Sequence, residues 1–214
     1  TETGPGVYEA AIAFSGALES ADRAILFKTG AKEIGKRFGV MPSFMAKWNQ
    51  ALPGCSGHIH QSLSDGSKNL FFDAKGKRSM SKLFESYLAG QVACLMEFAP
   101  LFWPTINSYK RLVDGFWAPV KPTWGVDNRT ASFRVIAGSP KSTRLETRCP
   151  GADVNPYLAT AAVIAASSFT GSVSGPGNID TQSCGLRWWR SRQSRMTFDS
   201  AFIGAGNHHA VSSM

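Results

Sequence analysis

A short segment alternates charged residues with small or apolar ones and reads Arg144-Leu145-Glu146-Thr147-Arg148-Cys149. Side chains alternate across a β-strand, so Arg144, Glu146 and Arg148 share one face and the other face can pack on a core. A solvated face with surface ion pairs would give the same pattern and contribute little. The neighbouring sequence is therefore needed to choose between a surface strand and a site.

Two further arginines, Arg129 and Arg134, lie close together just upstream of this strand. Several guanidinium groups near one carboxylate favour phosphate or carboxylate ligands, because the planar fork binds them in a bidentate manner. The arginines and Glu146 together indicate an anion-binding site on a sheet.

Histidines and further carboxylates are candidate metal ligands. His58 and His60 are one residue apart, so in an extended segment both point to one side, although turn histidines are the alternative. Glu2 and Glu9 flank a Gly-Pro-Gly turn that could bring the two carboxylates together around a hard cation such as Mg²⁺. With the arginines, these residues are the components of metal-assisted phosphoryl transfer. The P-loop pattern GxxxxGK[ST] does not occur, so ATP would be held by arginines and metal instead.

Length, charge and cysteine spacing exclude several classes of protein. The chain has 214 residues, 43% of them hydrophobic, which is enough for a core in one domain or two small ones. Its net charge of +8 suits anionic partners, but the basic residues are scattered, which argues against nucleic-acid binding. No apolar stretch approaches the roughly 20 residues of a membrane span, and four cysteines without metal-site spacing predict thiols in a reducing, cytoplasmic compartment.

The predicted fold class is α+β, with an antiparallel sheet that carries the site and helices over 17–38, 80–98 and 153–168 packed behind it. Strands are expected over 1–14 (interrupted by a turn), 40–47, 131–137 and 144–149, whereas 53–60 and 105–125 are expected to be loops. From about Gly171 onward no helical or strand period is clear. The predicted division is therefore a domain over 1–170 and a tail of low order over 171–214.

Several motifs in one order resemble the glutamine synthetase catalytic domain. They are Glu2–Glu9, Ser43–Lys47, Ser56–Leu63, Asn107–Val113, Asp127–Arg134, Arg144–Arg148 and Asn155–Ala159. The resemblance extends from residue 1 to about 170 and does not include the tail.

The resemblance implies an ATP-dependent ligase that converts glutamate to γ-glutamyl phosphate and transfers the acyl group to ammonia, in glutamine biosynthesis and nitrogen metabolism. It implies Mg²⁺ or Mn²⁺ as the metal. It implies two such cations: Glu2 and Glu9 are the implied ligands of one, and His58 and Glu146 are the implied ligands of the other, which lies beside the ATP phosphates. Implied ATP contacts are His60, Ser62, Arg129 and Arg134, of which the two arginines are catalytic. Implied glutamate-binding residues are Gly54, Arg111 and Arg148.

The chain also departs from the family pattern. Trp117 stands where glutamine synthetases have a glutamate that binds ammonium and takes its proton. The upstream strand with further metal carboxylates and the small N-terminal domain do not match any part of the chain. The fold is therefore expected to be truncated at its N-terminus, with this fragment inactive by itself and a ring-shaped homo-oligomer formed only at full length.

Two alternatives stay open. One is a γ-glutamyl ligase for a larger amine or polyamine, which Trp117 favours because an aromatic wall suits an alkyl amine. The other is a non-catalytic, lengsin-like structural relative. Retention of like-charged residues around the site argues against a scaffold, which has no physical need for them.

Overall fold

The computed structural model describes residues 4–168, 170–175, 178–182 and 195–207, with side chains described up to residue 168. The helices are α1 (Ala17–Arg37), α2 (Lys82–Cys94), α3 (Ala99–Phe102), α4 (Ile106–Lys110) and α5 (Pro156–Ala166), with a 3₁₀ turn at Lys77–Ser79. The strands are β1 (Val7–Ala11), β2 (Ser15–Gly16), β3 (Pro42–Ser43), β4 (Ile59–Ser64), β5 (Trp124–Val126), β6 (Phe133–Ile136), β7 (Arg144–Thr147), β8 (Thr170–Gly175), β9 (Asn178–Gln182) and β10 (Arg195–Asn207).

The main sheet positions the site. Over the described residues its strand order is β1-β10-β4-β7-β6-β5, with β2 and β3 also paired to β10, while β8 and β9 form a separate hairpin. The predicted antiparallel pairing is observed for the strands that carry the site, whereas β5 and β6 pair in parallel, which the prediction did not include. β5 has only three residues, so the six-residue connection 127–132 is long enough to bring the chain back to the same end. The class is α+β with a mixed sheet.

Local sequence explains the helix boundaries. The Ser81 side chain accepts a hydrogen bond from the Phe84 amide and caps the start of α2. The Asn155 side chain accepts from the amides of Tyr157 and Leu158 and caps α5, whose first residue is Pro156. Gly39 takes a left-handed conformation just after α1 ends. The three long helices were predicted within a few residues of these limits.

The strands differ more from the sequence expectations. The predicted strand 40–47 is reduced to the two residues of β3, and the segment 1–14 contributes β1 after a turn. Two strands overlap segments where loops were expected: the first two residues of β4 lie in 53–60, and the first two of the three residues of β5 lie in 105–125. The segment after Gly171, expected to have low order, contains most of β8 together with β9 and β10. The division at residue 170 stays a prediction.

One face of the sheet packs on the core and the other carries the site. On β4 the side chains of Ile59, Gln61 and Leu63 are buried, whereas those of His60 and Ser62 alternate to the opposite face. The core beneath includes Phe84 and Leu88 of α2 and residues of α5. In the part of the chain that the structure describes, no helix combines the length and the apolar character needed to cross a bilayer.

Candidate active site

The centre of the site is the carboxylate of Glu146, whose residue is only 2% exposed. It lies opposite His60 on β4 and opposite Arg134 on β6, so three adjacent strands contribute to one row. Arg134 Nη1 donates to Glu146 Oε2 at 3.0 Å, and Arg148 Nη1 donates to Oε1. His58 Nδ1 lies 3.1 Å and His60 Nε2 4.0 Å from the same Oε1. The structure therefore brings Glu146 together with Arg134, Arg148, His58 and His60, which the sequence analysis treated as separate candidates.

The electrostatic state of this cluster is set by burial and by hydrogen bonds. Burial lowers the pKa of His58 to about 4, which outweighs the hydrogen bond with Glu146 that would raise it. Burial would raise the pKa of Glu146, but the hydrogen bond from His58 and the charge of Arg148 hold it well below its usual range. At neutral pH the imidazole of His58 is thus neutral and Glu146 is ionised.

These charge states determine the His58 tautomer. A neutral imidazole within 3.1 Å of a carboxylate carries its proton on Nδ1 and donates it to Glu146. The other nitrogen, Nε2, is buried and has no hydrogen-bond partner among the side chains that the structure describes. A carboxylate that fixes the tautomer of a histidine in this way is the usual arrangement around a metal-binding imidazole.

Nε2 carries the free lone pair but lies on the side of the ring away from Glu146, so His58 and Glu146 can hold one divalent cation together only if His58 binds it through Nδ1, the nitrogen beside Glu146 Oε1. The fit is incomplete, since Mg²⁺ and Mn²⁺ favour six oxygen-rich ligands. Among the side chains that the structure describes, no group of three or more His, Cys, Asp or Glu residues could hold a metal ion. Any cation here must draw on further ligands.

Arg144 belongs to the site although the sequence analysis did not assign it a role. Its Nε donates to His60 Nδ1 at 3.0 Å and its Nη1 to the Ser142 carbonyl at 2.9 Å. Because His60 Nδ1 accepts this bond, the imidazole carries its proton on Nε2, the nitrogen that faces Glu146. The alternation of 144–149 placed Arg144 on the correct face, but the contact with His60 requires the pairing of β4 with β7.

The two predicted catalytic arginines differ in their surroundings. Arg134 is bound on both sides, with Nη1 on Glu146 and Nη2 on Asp127 at 3.1 Å. Arg129 is exposed at the rim, and its carbonyl accepts a hydrogen bond from Arg148 Nε at 2.9 Å. Asp127, which sequence reasoning missed, is the second carboxylate of the arginine cluster. Arginines outnumber carboxylates here, so the rim attracts anions.

Arg111 and Gly54 lie on the far side of Arg148. Arg111 is buried and donates to the carbonyls of Cys149 (2.9 Å) and Arg148 (3.3 Å) and to Ser56 Oγ (2.7 Å). Gly54 is so close to it that a Cβ at position 54 would meet Arg111 Cγ at 2.8 Å. In this structure Arg111 holds together the loops around the site.

The remaining predicted residues lie at different distances from this centre. Ser62 follows His60 on the same face of β4. Glu9 is exposed on β1, and β10 separates it from β4. Glu2 lies outside the described residues.

A pocket of about 400 Å³ lies beside the loop that carries Trp117 and is lined partly by Asp114, Pro119 and Val120. Trp117 is 56% exposed and has a φ of 60°, in the left-handed region that a bulky residue rarely adopts. Such local strain is characteristic of functional loops.

Residues 1–171 match the family described as glutamine synthetase, catalytic domain. The chain belongs to this family. The resemblance seen in the sequence motifs is thereby confirmed, and glutamine synthetase family members are ligases of nitrogen metabolism.

Individual relatives within the family carry different names. The chain is 61% identical to type-1 glutamine synthetase 2 of Dictyostelium discoideum over 168 aligned residues. The alignment covers 78% of the chain and 32% of that protein. It is 44% identical over 172 residues to glutamate–isopropylamine ligase of a Pseudomonas species (80% and 37%). It is 46% identical over 166 residues to gamma-glutamylethanolamide synthetase of Streptomyces coelicolor (77% and 35%). The chain thus spans about a third of the length of these relatives.

Proposed function

We propose that the chain forms the catalytic part of an ATP-dependent ligase that joins ammonia to the γ-carboxylate of glutamate. The observation that carries this proposal is the row Arg134–Glu146–His60, with Arg148 and His58 on the same carboxylate. Together these residues supply an ionised carboxylate in Glu146, a neutral imidazole in His58 and a surplus of guanidinium groups. Those are the groups that phosphoryl transfer to a carboxylate requires.

In the proposed reaction a γ-carboxylate oxygen of glutamate attacks the γ-phosphorus of ATP and ADP leaves. Arg129 and Arg134 stabilise the charge on the transferring phosphoryl group, and His60 and Ser62 contact ATP. Arg148, Arg111 and Gly54 orient glutamate. The nitrogen of ammonia then attacks the acyl carbon of γ-glutamyl phosphate, phosphate leaves, and a base takes the surplus proton.

Two Mg²⁺ or Mn²⁺ ions, one held by Glu2 and Glu9 and the other by His58 and Glu146, would neutralise phosphate charge. We further propose that the complete protein acts in the cytoplasm as a homo-oligomer without nucleic-acid or membrane partners, and that the 214-residue chain alone is inactive.

The experiment is a phosphate-release assay on the whole protein that contains this chain, with ATP, glutamate, Mg²⁺ or Mn²⁺ and ammonium. Release should need all of these and should disappear in Glu146→Gln. Glutamate-independent release would indicate ATP hydrolysis instead of ligation, and no release with any nitrogen donor would favour the non-catalytic alternative.

A larger amine is the second candidate acceptor, and Trp117 is the observation that favours it. An indole face attracts an alkyl ammonium and packs on its chain, but it cannot accept a proton. Loss of one acid–base group typically costs roughly 10²–10⁴-fold in rate, so ammonia should react slowly unless Asp114, which lines the same pocket, replaces the base. The names of the isopropylamine and ethanolamide relatives are consistent with this acceptor class in the family.

The two acceptors are distinguished by repeating the assay with ammonium and a series of alkyl amines and diamines. If Trp117 selects alkyl chains, kcat/KM should rise with chain length and Trp117→Glu should shift the preference toward ammonium. If ammonium is the best acceptor at matched concentration, Trp117 does not change the substrate.

A further inference from the structure

Lys47 is a buried lysine in the segment between β3 and the loop that carries Gly54. Its residue is 7% exposed, and its Nζ donates a hydrogen bond to the Leu52 carbonyl at 2.6 Å. The same Nζ lies 4.6 Å from the centre of the Phe116 ring, within the range of a cation–π contact. In the part of the chain that the structure describes, no carboxylate lies within ion-pair distance of this ammonium. The side chain therefore joins two segments of the chain instead of balancing a charge.

The two segments that Lys47 joins both belong to the proposed site. Leu52 is part of the Gly54 loop (residues 52–55), which carries a proposed glutamate-binding residue. Phe116 is part of the Trp117 loop (residues 113–120), which carries the residue proposed to distinguish the nitrogen donors. Lys47 thus contacts the glutamate side and the donor side of the proposed site at the same time.

The backbone of Lys47 is held in place by its neighbours. The Asn107 side chain accepts a hydrogen bond from the Lys47 amide at 2.9 Å and donates one to the Lys47 carbonyl at 2.8 Å. Asn107 lies on α4, the helix that ends directly before Arg111. The carbonyl of the preceding residue, Ala46, accepts a hydrogen bond from the Cys55 amide at 2.8 Å. The fold therefore sets the position from which the lysine side chain reaches both loops.

The burial of Lys47 is unfavourable unless its ammonium has a role. Burial and the nearby charge of Arg111 lower the pKa of Lys47. An apolar side chain of similar length would fill the same space without the cost of burying a charge. What only the ammonium supplies is a directional, charge-assisted hydrogen bond to the Leu52 carbonyl and the attraction to the Phe116 ring.

We propose that Lys47 is a positioning residue of the ligase, which sets the Gly54 loop and the Trp117 loop relative to each other so that glutamate and the nitrogen donor meet in reactive geometry. The inference rests on the proposed function and deepens it. Such positioning matters because a misplacement of about 1 Å can cost roughly 100-fold in rate. Lys47 takes no part in phosphoryl transfer, so the binding of ATP should not depend on it.

The first test measures kinetic constants of the whole protein that contains this chain. Lys47→Met should raise the KM for glutamate by roughly 10- to 100-fold, the scale of one lost hydrogen bond to a charged group, and leave the KM for ATP unchanged. Lys47→Arg, which keeps a charged donor, should recover part of the loss. Lys110→Met is the matched control, because Lys110 is exposed, lines the same cavity of about 550 Å³ and should affect neither constant. Equal changes in the two KM values, or no change, would overturn the proposal.

A second measurement, on the 214-residue chain, does not depend on activity. The chain is labelled with 5-fluorotryptophan, and the ¹⁹F resonance of Trp117 is identified by its loss in Trp117→Phe. Lys47→Met should move this resonance, because the Trp117 loop loses its contact with the ammonium, whereas Lys110→Met should leave it in place. An unmoved resonance in Lys47→Met, or equal shifts in the two variants, would contradict the link between the loops.

Phe116→Leu provides the test if Lys47→Met does not fold. It removes the ring and keeps the lysine, so it should raise the KM for the nitrogen donor, and an unchanged KM would count against the proposal. The outcomes also separate this inference from the proposed function. If the unchanged protein has glutamate-dependent turnover and Lys47→Met has the same KM for glutamate, only the role of Lys47 is wrong. If the unchanged protein has no such turnover, the proposed function is wrong and this inference with it.

Discussion

Glu146 is the residue on which the site depends, because its two oxygens bind two guanidinium groups and an imidazole. Its neighbours in sequence alternate to the core, so the same short strand provides both the anchor and the charge. The sequence predicted this face from its alternation alone. It could not predict which of the arginines would reach the carboxylate, since Arg134 and Arg148 approach from different strands and Arg129 remains at the rim.

We expect Glu146→Gln to reduce both activity and stability. A neutral amide leaves Arg134 and Arg148 without their shared counter-charge, and breaking a buried pair costs about 3–5 kcal/mol. Urea unfolding of the chain measures this cost. Arg129→Gln is the control, because Arg129 is exposed and should change stability by less than about 0.5 kcal/mol. Equal stabilities for the two variants would mean that Glu146 is not the electrostatic centre.

His58 makes the metal-free chain sensitive to mild acid. Its folded pKa of about 4 lies below the ordinary 6.5, so the unfolded chain binds the proton more tightly. The associated stability is complete above pH 6.5 and is lost as the pH falls toward 4, by up to about 3 kcal/mol. Thermal melts with a chelator over this range should have a steep pH dependence that His58→Gln reduces. An unchanged slope in that variant would refute the assignment.

At the scale of elements, the sequence predicted what local pattern determines. Amphipathic spacing with Ser81 and Asn155 caps located α2 and α5, and period-two alternation located β7. The sequence pattern did not indicate β4 as a strand, because no turn residue separates it from the loop 53–58. The pattern also did not indicate the direction of β5, because parallel pairing depends on the route that the chain takes between the two strands. The contact of Arg144 with His60 was missed for the same reason.

The loop that contains Gly54 has no room for a side chain. A Cβ there would clash with the Ala46 carbonyl oxygen and with Arg111, so Gly54→Ala should destabilise the chain by about 1–3 kcal/mol and displace Arg111. Gly30→Ala is the matched control, since position 30 of α1 is open and alanine favours a helix by up to about 1 kcal/mol. The free energy of unfolding measured in urea should therefore fall for Gly54→Ala and rise for Gly30→Ala. A stabilising Gly54→Ala would contradict this packing.

For the whole molecule, the main difference from the sequence analysis concerns the C-terminal segment. The strand β10 pairs with strands that precede it by more than 130 residues. Its own sequence does not alternate apolar and polar residues throughout, so the pattern of the segment alone did not indicate a strand. The predicted separation of a 1–170 domain from its tail can therefore be tested directly.

We expect truncation after residue 168 to remove the strand that joins β1 to β4 and to leave both edges unpaired. We expect the 214-residue chain and the chain truncated after residue 207 to unfold cooperatively in urea, and the chain truncated after residue 168 to lose that cooperative transition. A cooperative transition at unchanged urea concentration in the shorter chain would show that residues 1–168 form the domain alone.

The central claim, activation of glutamate by ATP at the Glu146 site, is tested most directly by positional isotope exchange in the whole protein that contains this chain. ATP with ¹⁸O in its β–γ bridge is incubated with glutamate and Mg²⁺, without any amine, and the label is followed by nuclear magnetic resonance. If γ-glutamyl phosphate forms reversibly, the bridge oxygen of the released ADP becomes equivalent to its neighbours and the label scrambles on re-formation of ATP. We predict scrambling that needs glutamate and is absent in Glu146→Gln; scrambling without glutamate, or none with it, would contradict the account.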